Sequence, residues 1–308
     1  MQSFKSRLFN FLMRNRHFFK GKLKKDVFDF NTSIEGFREL CEKGASKYAK
    51  IPDGIEIKEE NINGIHAEWI VPQNAHKENV ILYVHGGGYV SGSCNDHRGF
   101  VSKFANHCGI STLQFEYRLA PEHPFPAGLN DSVAVYNWLL HQGFDSVNIV
   151  IAGESAGGGL TLALLLALKE QKLSMPAAAA AISPWTDLTC SSDSYKNKNK
   201  VSVAPLNSWL VFSKHYCGNN PPTLPLISPL FGELEGLPPI FINAAEDDEL
   251  FEDGEKFYHK AKDAGVDVTF RAGKGMIHCY PMLAPFFREA TDAMQEICEF
   301  INMHIGKS

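Results

Sequence analysis

Val147-Asn148-Ile149-Val150-Ile151-Ala152-Gly153-Glu154-Ser155-Ala156-Gly157, running on into Leu160-Thr161-Leu162-Ala163-Leu164-Leu165-Leu166, is the stretch that decides the fold of this chain. Five of its first six residues are apolar and four are β-branched, the composition of a short buried strand. The later run is long and rich in Ala and Leu, the composition of a helix. Between them stands a G-x-S-x-G pentapeptide centred on Ser155. A tight strand-to-helix turn holds such a serine hydroxyl out towards a substrate. Glycine-rich turns also serve packing alone, so the pentapeptide does not decide the chemistry by itself.

His85-Gly86-Gly87-Gly88 is the second element, and it follows another strand-like run, Asn79-Val80-Ile81-Leu82-Tyr83-Val84. Successive glycines reach backbone geometries closed to other residues and leave their N–H groups unobstructed. Such groups can face the oxygen that becomes negative during acyl transfer. A merely flexible loop is the competing explanation, and it weakens once both motifs occur in this order.

A serine hydroxyl needs a base to take its proton, and the base needs an orienting group. In the α/β-hydrolases, whose elbow this turn resembles, the partners follow in the order acid, then histidine. Pro239-Ile240-Phe241-Ile242-Asn243-Ala244 reads as a strand and runs into Ala245-Glu246-Asp247-Asp248-Glu249-Leu250. Five acids lie between 246 and 252, and position alone does not choose among them. The alternating run Val266 to Arg271 reads as the next strand. Gly273-Lys274-Gly275-Met276-Ile277-His278 then offers His278 as the base. Among the other histidines, His259 and His304 fall in helix-like segments, His215 in a helix-like insertion, and His85 in the glycine loop.

With these residues in view, the chain resembles the hormone-sensitive lipase-like esterases of the α/β-hydrolase superfamily. The segments that carry the resemblance are His85 to Tyr89, Tyr117-Arg118-Leu119-Ala120-Pro121-Glu122-His123-Pro124-Phe125-Pro126-Ala127, Gly153 to Gly158, Ser183-Pro184-Trp185 and Gly275 to His278. They cover roughly residues 50–305. The resemblance implies an α/β-hydrolase fold: a mostly parallel eight-stranded sheet with helices on both faces and a helical cap. It implies core segments 51–185 and 226–308, with 1–50 and 186–225 as the two parts of the cap.

The resemblance also assigns roles. It implies a triad of Ser155, Asp248 and His278. Asp248 is selected because Asp248-Glu249-Leu250 followed by Glu252-Asp253-Gly254 fits the family pattern, whereas Asp247 is one residue out of phase and stands as the fallback. Gly87, Gly88 and Ala156 are the implied oxyanion donors, while Gly86, after His85, shapes the turn. Glu154 stands where many relatives carry aspartate, so a carboxylate is kept. Tyr89, Trp185 and Trp209 are candidate pocket residues. The implied activity is serine carboxylesterase action on short- to medium-chain acyl esters, with a small-molecule ester as partner, a possible homodimer, and no metal or organic cofactor.

Other readings remain open. The same triad serves hydrolysis of amides, thioesters or lactones. Plant gibberellin receptors resemble this family without turnover, but they lack the base histidine that stands here as His278. A lipase acting at interfaces is the third alternative.

Composition sets bounds. With 308 residues, the chain can hold one large α/β domain and an insertion. A net charge of −5 gives no pull towards nucleic acid. No run approaches the length of a membrane span, so no stable membrane insertion is expected. Seven cysteines without C-x-x-C spacing suggest reduced thiols and a cytoplasmic setting. Cys279 reads as a packing residue.

The first 25 residues are distinctive. Lys5, Arg7, Arg14, Arg16, Lys20, Lys22, Lys24 and Lys25 occur with no acid before Asp26, and Phe4, Leu8, Phe11, Leu12, Phe18 and Phe19 are interleaved. A helical cap over the site, a membrane-surface helix and a targeting peptide are the three readings. Residues 51–74 hold two strand-like runs around the turn signal Asn63-Gly64. Ala177 to Ala181 reads as a buried strand. Pro205 to Cys217 reads as a helix with proline in its first turn, placing Trp209, Phe212 and Tyr216 on one face.

Overall fold

The computed structural model describes residues 2–19, 21–45 and 50–307; Lys20 of the basic segment falls outside them. Helices α1 (Phe4–Arg14), α2 (Arg16–Phe19) and α3 (Ile34–Ala45) come first. The strands β1 (Ile55–Ile62) and β2 (Ile65–Pro72) form a hairpin. Both turn residues, Asn63 and Gly64, have positive φ, the geometry a two-residue hairpin turn requires.

From there strand and helix alternate: β3 (His76–Val84), α4 (Cys94–Cys108), β4 (Ile110–Phe115), α5 (Ala127–His141), β5 (Ile149–Glu154), α6 (Ala156–Glu170) and β6 (Ala178–Ile182). After an excursion with α7 (Ser194–Asn197) and α8 (Ser208–Cys217), the chain returns through β7 (Ile240–Ala245), α9 (Phe251–Asp263), β8 (Val268–Gly273) and α10 (Arg288–His304).

These strands make one eight-stranded sheet in the order β1-β2-β4-β3-β5-β6-β7-β8. Only β1–β2 and β2–β4 pair antiparallel; the remaining neighbours are parallel. Strand alternation explains the two-sided core. Ile149 and Ile151 of β5 face a cluster with Leu139 of α5, Leu160 of α6 and Phe257 of α9. Val150 and Ala152 face the opposite cluster, with Phe104 of α4 and Ile297 of α10. Every residue of β5 and β6 is buried, which explains why both read as apolar runs rather than alternating ones. The expected α/β-hydrolase fold is the fold observed.

Two excursions leave the sheet and meet each other. Phe28 and Leu206 join backbones, with Phe28 N–H donating to the Leu206 carbonyl at 2.8 Å. The Phe28 and Phe37 rings both pack on Phe212 of α8.

Two expectations need correction. The helix expected from Pro205 begins at Ser208, because Asn207 adopts a left-handed conformation (φ 65°) and breaks the helical path. Trp209, Phe212 and Tyr216 are nonetheless all buried. The cysteines are not all reduced: Cys108 and Cys298 form a disulfide across 190 residues of sequence, joining α4 to α10. Those helices pack on the same sheet face, a proximity that no local cysteine spacing reveals. Cys41, Cys94, Cys190, Cys217 and Cys279 are free. The bridge removes the thiol argument for a cytoplasmic setting. No helix among the described residues is long and apolar enough to cross a membrane.

Candidate active site

Ser155 ends the path of β5 and begins α6. Its φ of 58° and ψ of −124° are strained for a residue with a side chain, and such strain persists only where the surroundings enforce it. Ser155 N–H donates to the Ile182 carbonyl and its own carbonyl accepts from Trp185 N–H. Close packing does the rest. A Cβ on Gly157 would lie 2.1 Å from the Val84 carbonyl oxygen, so the first turn of α6 can approach β3 only with glycine there.

The His278 loop and the end of β7 meet this elbow. Nδ1 of His278 lies 2.6 Å from an oxygen of Asp248, which is fully buried. Asp247 points elsewhere, to the guanidinium of Arg14. Burial pulls the His278 pKa down, but the Asp248 carboxylate and, after it, the adjoining Cys279 together outweigh burial, and the net position is well above the ordinary histidine value. Ser155 and His278 line one cavity of about 260 Å³, together with Gly87, Gly88 and Cys279.

Gly86 and Gly87 play different parts. Gly86 N–H donates to Glu154 Oε1 at 2.5 Å and is therefore committed. The N–H groups of Gly87 and Gly88 donate to no protein acceptor among the described residues. Gly87 has φ of 113°, and a Cβ there would meet the Ser91 carbonyl oxygen at 2.1 Å. Ala156 opens α6, where the backbone N–H has no intrahelical acceptor and the helix dipole favours negative charge.

Behind the glycine loop lies a polar network that no sequence motif announced. Glu154 Oε1 also accepts from His97 Nε2 at 2.8 Å, and its other oxygen accepts from the Tyr83 hydroxyl. Nδ1 of His97 is held by Asp96. Burial lowers the His97 pKa, yet Glu154 and Asp96 together raise it well above the ordinary value. His85 is pushed the other way, down to about 4, by burial and by the neighbouring His97. The network thus sets His97 between the Asp96 and Glu154 side chains, with the His85 ring stacked on Tyr117 at 4.2 Å. The x residue of the G-x-S-x-G pentapeptide thus anchors the backbone of the glycine loop. His97 lies twelve residues beyond His85; Asp96 adjoins it, but its contact with Glu154, 57 residues on, leaves no mark in the local sequence.

The aromatic candidates divide. Trp209 lines the cavity; its indole N–H donates to Glu249 at 2.8 Å and its ring lies 5.6 Å from that of His278. Tyr89 and Trp185 are not among the lining residues. Both are fully buried one layer back, Tyr89 stacked 3.8 Å from Tyr216 and Trp185 packed edge-on against Trp209. The wall positions are taken instead by Phe37, by Pro205 and Phe212, and by Met282, which come from three separate stretches of chain.

Known proteins carry the same architecture. A family model described as the α/β hydrolase fold matches residues 81–282. An esterase of Acinetobacter venetianus is 35% identical over 248 residues, covering 80% of this chain and 82% of the relative. An acetyl-hydrolase of Streptomyces hygroscopicus is 35% identical over 245 residues, covering 78% and 81%. Among solved structures, an esterase from the bacterial hormone-sensitive lipase family superposes with a TM-score of 0.90 at 34% identity, covering 99% of this chain and 100% of that one. The esterase EstE5, soaked with p-nitrophenyl butyrate, superposes with a TM-score of 0.89 at 35% identity, covering 98% and 99%. On the strength of its fold, its motifs and these relatives, this chain belongs to the α/β-hydrolase fold family, in its hormone-sensitive lipase-like group of carboxylic ester hydrolases.

Proposed function

We propose that the chain hydrolyses short- to medium-chain acyl esters through a Ser155–His278–Asp248 triad and an acyl-enzyme intermediate. One observation supports this above the others: the imidazole braced by Asp248 and the Ser155 elbow open on the same cavity. In this reading Nδ1–H donates to Asp248, which leaves Nε2 to accept the Ser155 proton. The serine oxygen attacks the ester carbonyl carbon, and the carbonyl oxygen becomes an oxyanion facing the N–H groups of Gly87, Gly88 and Ala156. His278 then gives its proton to the departing alcohol. Water, deprotonated by the same imidazole, cleaves the acyl-serine and restores the enzyme.

Segments 1–50 and 186–225 supply a two-part cap in this account, and within the first segment α3 is the part that reaches the cavity while α1 stands outside it. Phe37 of the first part and Pro205, Trp209 and Phe212 of the second wall the cavity. Its volume sits just below the usual range for small-molecule sites, roughly 300–1,000 Å³, which favours a small acyl group. The acetyl-hydrolase relative and the butyrate ester used with EstE5 point the same way.

Met282 sets the upper limit of chain length. It lines the catalytic cavity and also a second groove of about 470 Å³, walled by Phe9, Met13, Leu40 and Leu283. A series of p-nitrophenyl esters from acetate upwards tests this. The expected optimum lies among the short acyl groups. Met282→Ala opens the wall between the two spaces and shifts the optimum towards longer chains, by about tenfold in the ratio of kcat/KM, since two further methylenes in an apolar groove are worth about that much. An unchanged preference contradicts the assignment of Met282.

A further inference from the structure

We propose that the N-terminal thirty residues dock this enzyme on an anionic lipid surface. The inference goes beyond the hydrolytic reading and stands on the outward face of α1. That helix is amphipathic in the inverted sense: its polar side faces the protein. Ser3 and Ser6 hydroxyls bond the Glu289 carboxylate, Asn10 donates to the Gly275 carbonyl at 3.0 Å, and Arg14 pairs with Asp247. The apolar side faces out. Phe4 is 78% exposed, Phe11 61%, and Leu8 and Leu12 are also exposed.

At 3.6 residues per turn, Phe11, Phe4, Leu8 and Leu12 fall within an arc of roughly 100°, with Arg7 on one edge and Lys5 on the other. An apolar strip rimmed by bases is the form of a helix lying in the plane of a bilayer, its rings among the acyl chains and its cations at the headgroups. The exposed surface continues past α1 through Phe18, Phe19, Leu23 and Phe30, with Leu23 88% exposed.

Charge chooses the occupant. Eight bases and no acid occupy residues 1–25 of a chain whose net charge is −5. Exposed Lys5, Arg7 and Lys24 make no ion pair among the described residues. A second copy of this acidic chain would meet that strip with its own basic strip across a two-fold axis, whereas an anionic leaflet complements it. The docked helix is also tied to the catalytic machinery. Its inner face holds the Gly275 carbonyl, three residues before His278, and Asp247, one residue before Asp248. Lipid binding thereby brings the enzyme to esters dissolved in or leaving a membrane.

The test is sedimentation of the full chain with vesicles of phosphatidylcholine alone and of phosphatidylcholine mixed with phosphatidylglycerol. The expected result is pelleting with the mixed vesicles, release by salt, and little binding to the neutral ones. Lys5→Gln and Arg7→Gln each weaken partition by about fivefold. Phe4→Ser with Phe11→Ser abolishes it. All these variants keep wild-type turnover of a soluble p-nitrophenyl ester, so loss of docking is read apart from loss of catalysis. Absence of pelleting, or equal binding to both vesicle types, overturns the proposal. So does a wild-type dimer in sedimentation velocity that the double serine variant dissociates, because a second copy then covers the face.

Discussion

Ser155→Ala is expected to lower kcat for p-nitrophenyl butyrate by about 10⁶-fold while leaving the fold intact. The magnitude follows from the cooperative action of nucleophile and base, whose removal costs that much in hydrolases of this chemistry. What remains is binding and the oxyanion donors, themselves worth about 10²- to 10³-fold each. The substitution removes one oxygen from a side chain that makes no structural hydrogen bond among the described residues; the backbone bonds to Ile182 and Trp185 are untouched. Circular dichroism and the unfolding midpoint should therefore match the wild type. A variant that folds normally and retains more than a small fraction of turnover would place the nucleophile elsewhere.

Asp248→Asn has the second largest expected effect, about 10⁴-fold in kcat, because an amide in place of the carboxylate disfavours the tautomer with its proton on Nδ1. A pH profile separates this from simple misfolding. Catalysis requires neutral His278, and the acid limb of kcat/KM reports the free enzyme's histidine. Burial lowers the His278 pKa, but Asp248 first and Cys279 second together raise it further than burial lowers it. The wild-type acid limb should thus lie above pH 6.5, the ordinary histidine value of about 6.5 being the reference. Removing the negative charge takes away the largest of the influences that hold this pKa up, so the limb of the variant should move to lower pH. A limb that stays in place would mean that another group governs the ionisation.

Much of the fold and of the candidate site is legible in the amino-acid sequence alone. The glycines, the elbow serine and the late histidine are local signals: each motif is fixed by backbone geometry that only particular residues allow. Strand spacing is legible for the same reason, since buried parallel strands read as short apolar runs. Asp248 is separable from Asp247 in sequence only through the family resemblance. The geometric reason is visible in three dimensions, where one carboxylate braces His278 and its neighbour turns to Arg14.

The rest depends on tertiary contacts. Phe37, Phe212 and Met282 wall the cavity from places far apart in sequence. The conspicuous aromatics Tyr89 and Trp185 lie behind that wall instead, where Tyr89 stacks on Tyr216. The His97–Glu154 pair leaves no local signal, because Asp96 adjoins His97 but the second carboxylate that holds the imidazole, Glu154, arrives from 57 residues further along the chain. Helix α8 starts late for a local reason that composition understates, the left-handed Asn207. The Cys108–Cys298 bridge reflects the packing of two helices on one sheet face.

The central claim is that His278 activates the Ser155 hydroxyl. Reaction with a fluorophosphonate probe, followed by peptide mass spectrometry, tests it most directly. The expected result is one covalent adduct per chain, on Ser155, forming at least about 10³-fold more slowly in His278→Ala. An adduct on another residue, or an equal labelling rate without the imidazole, would contradict it.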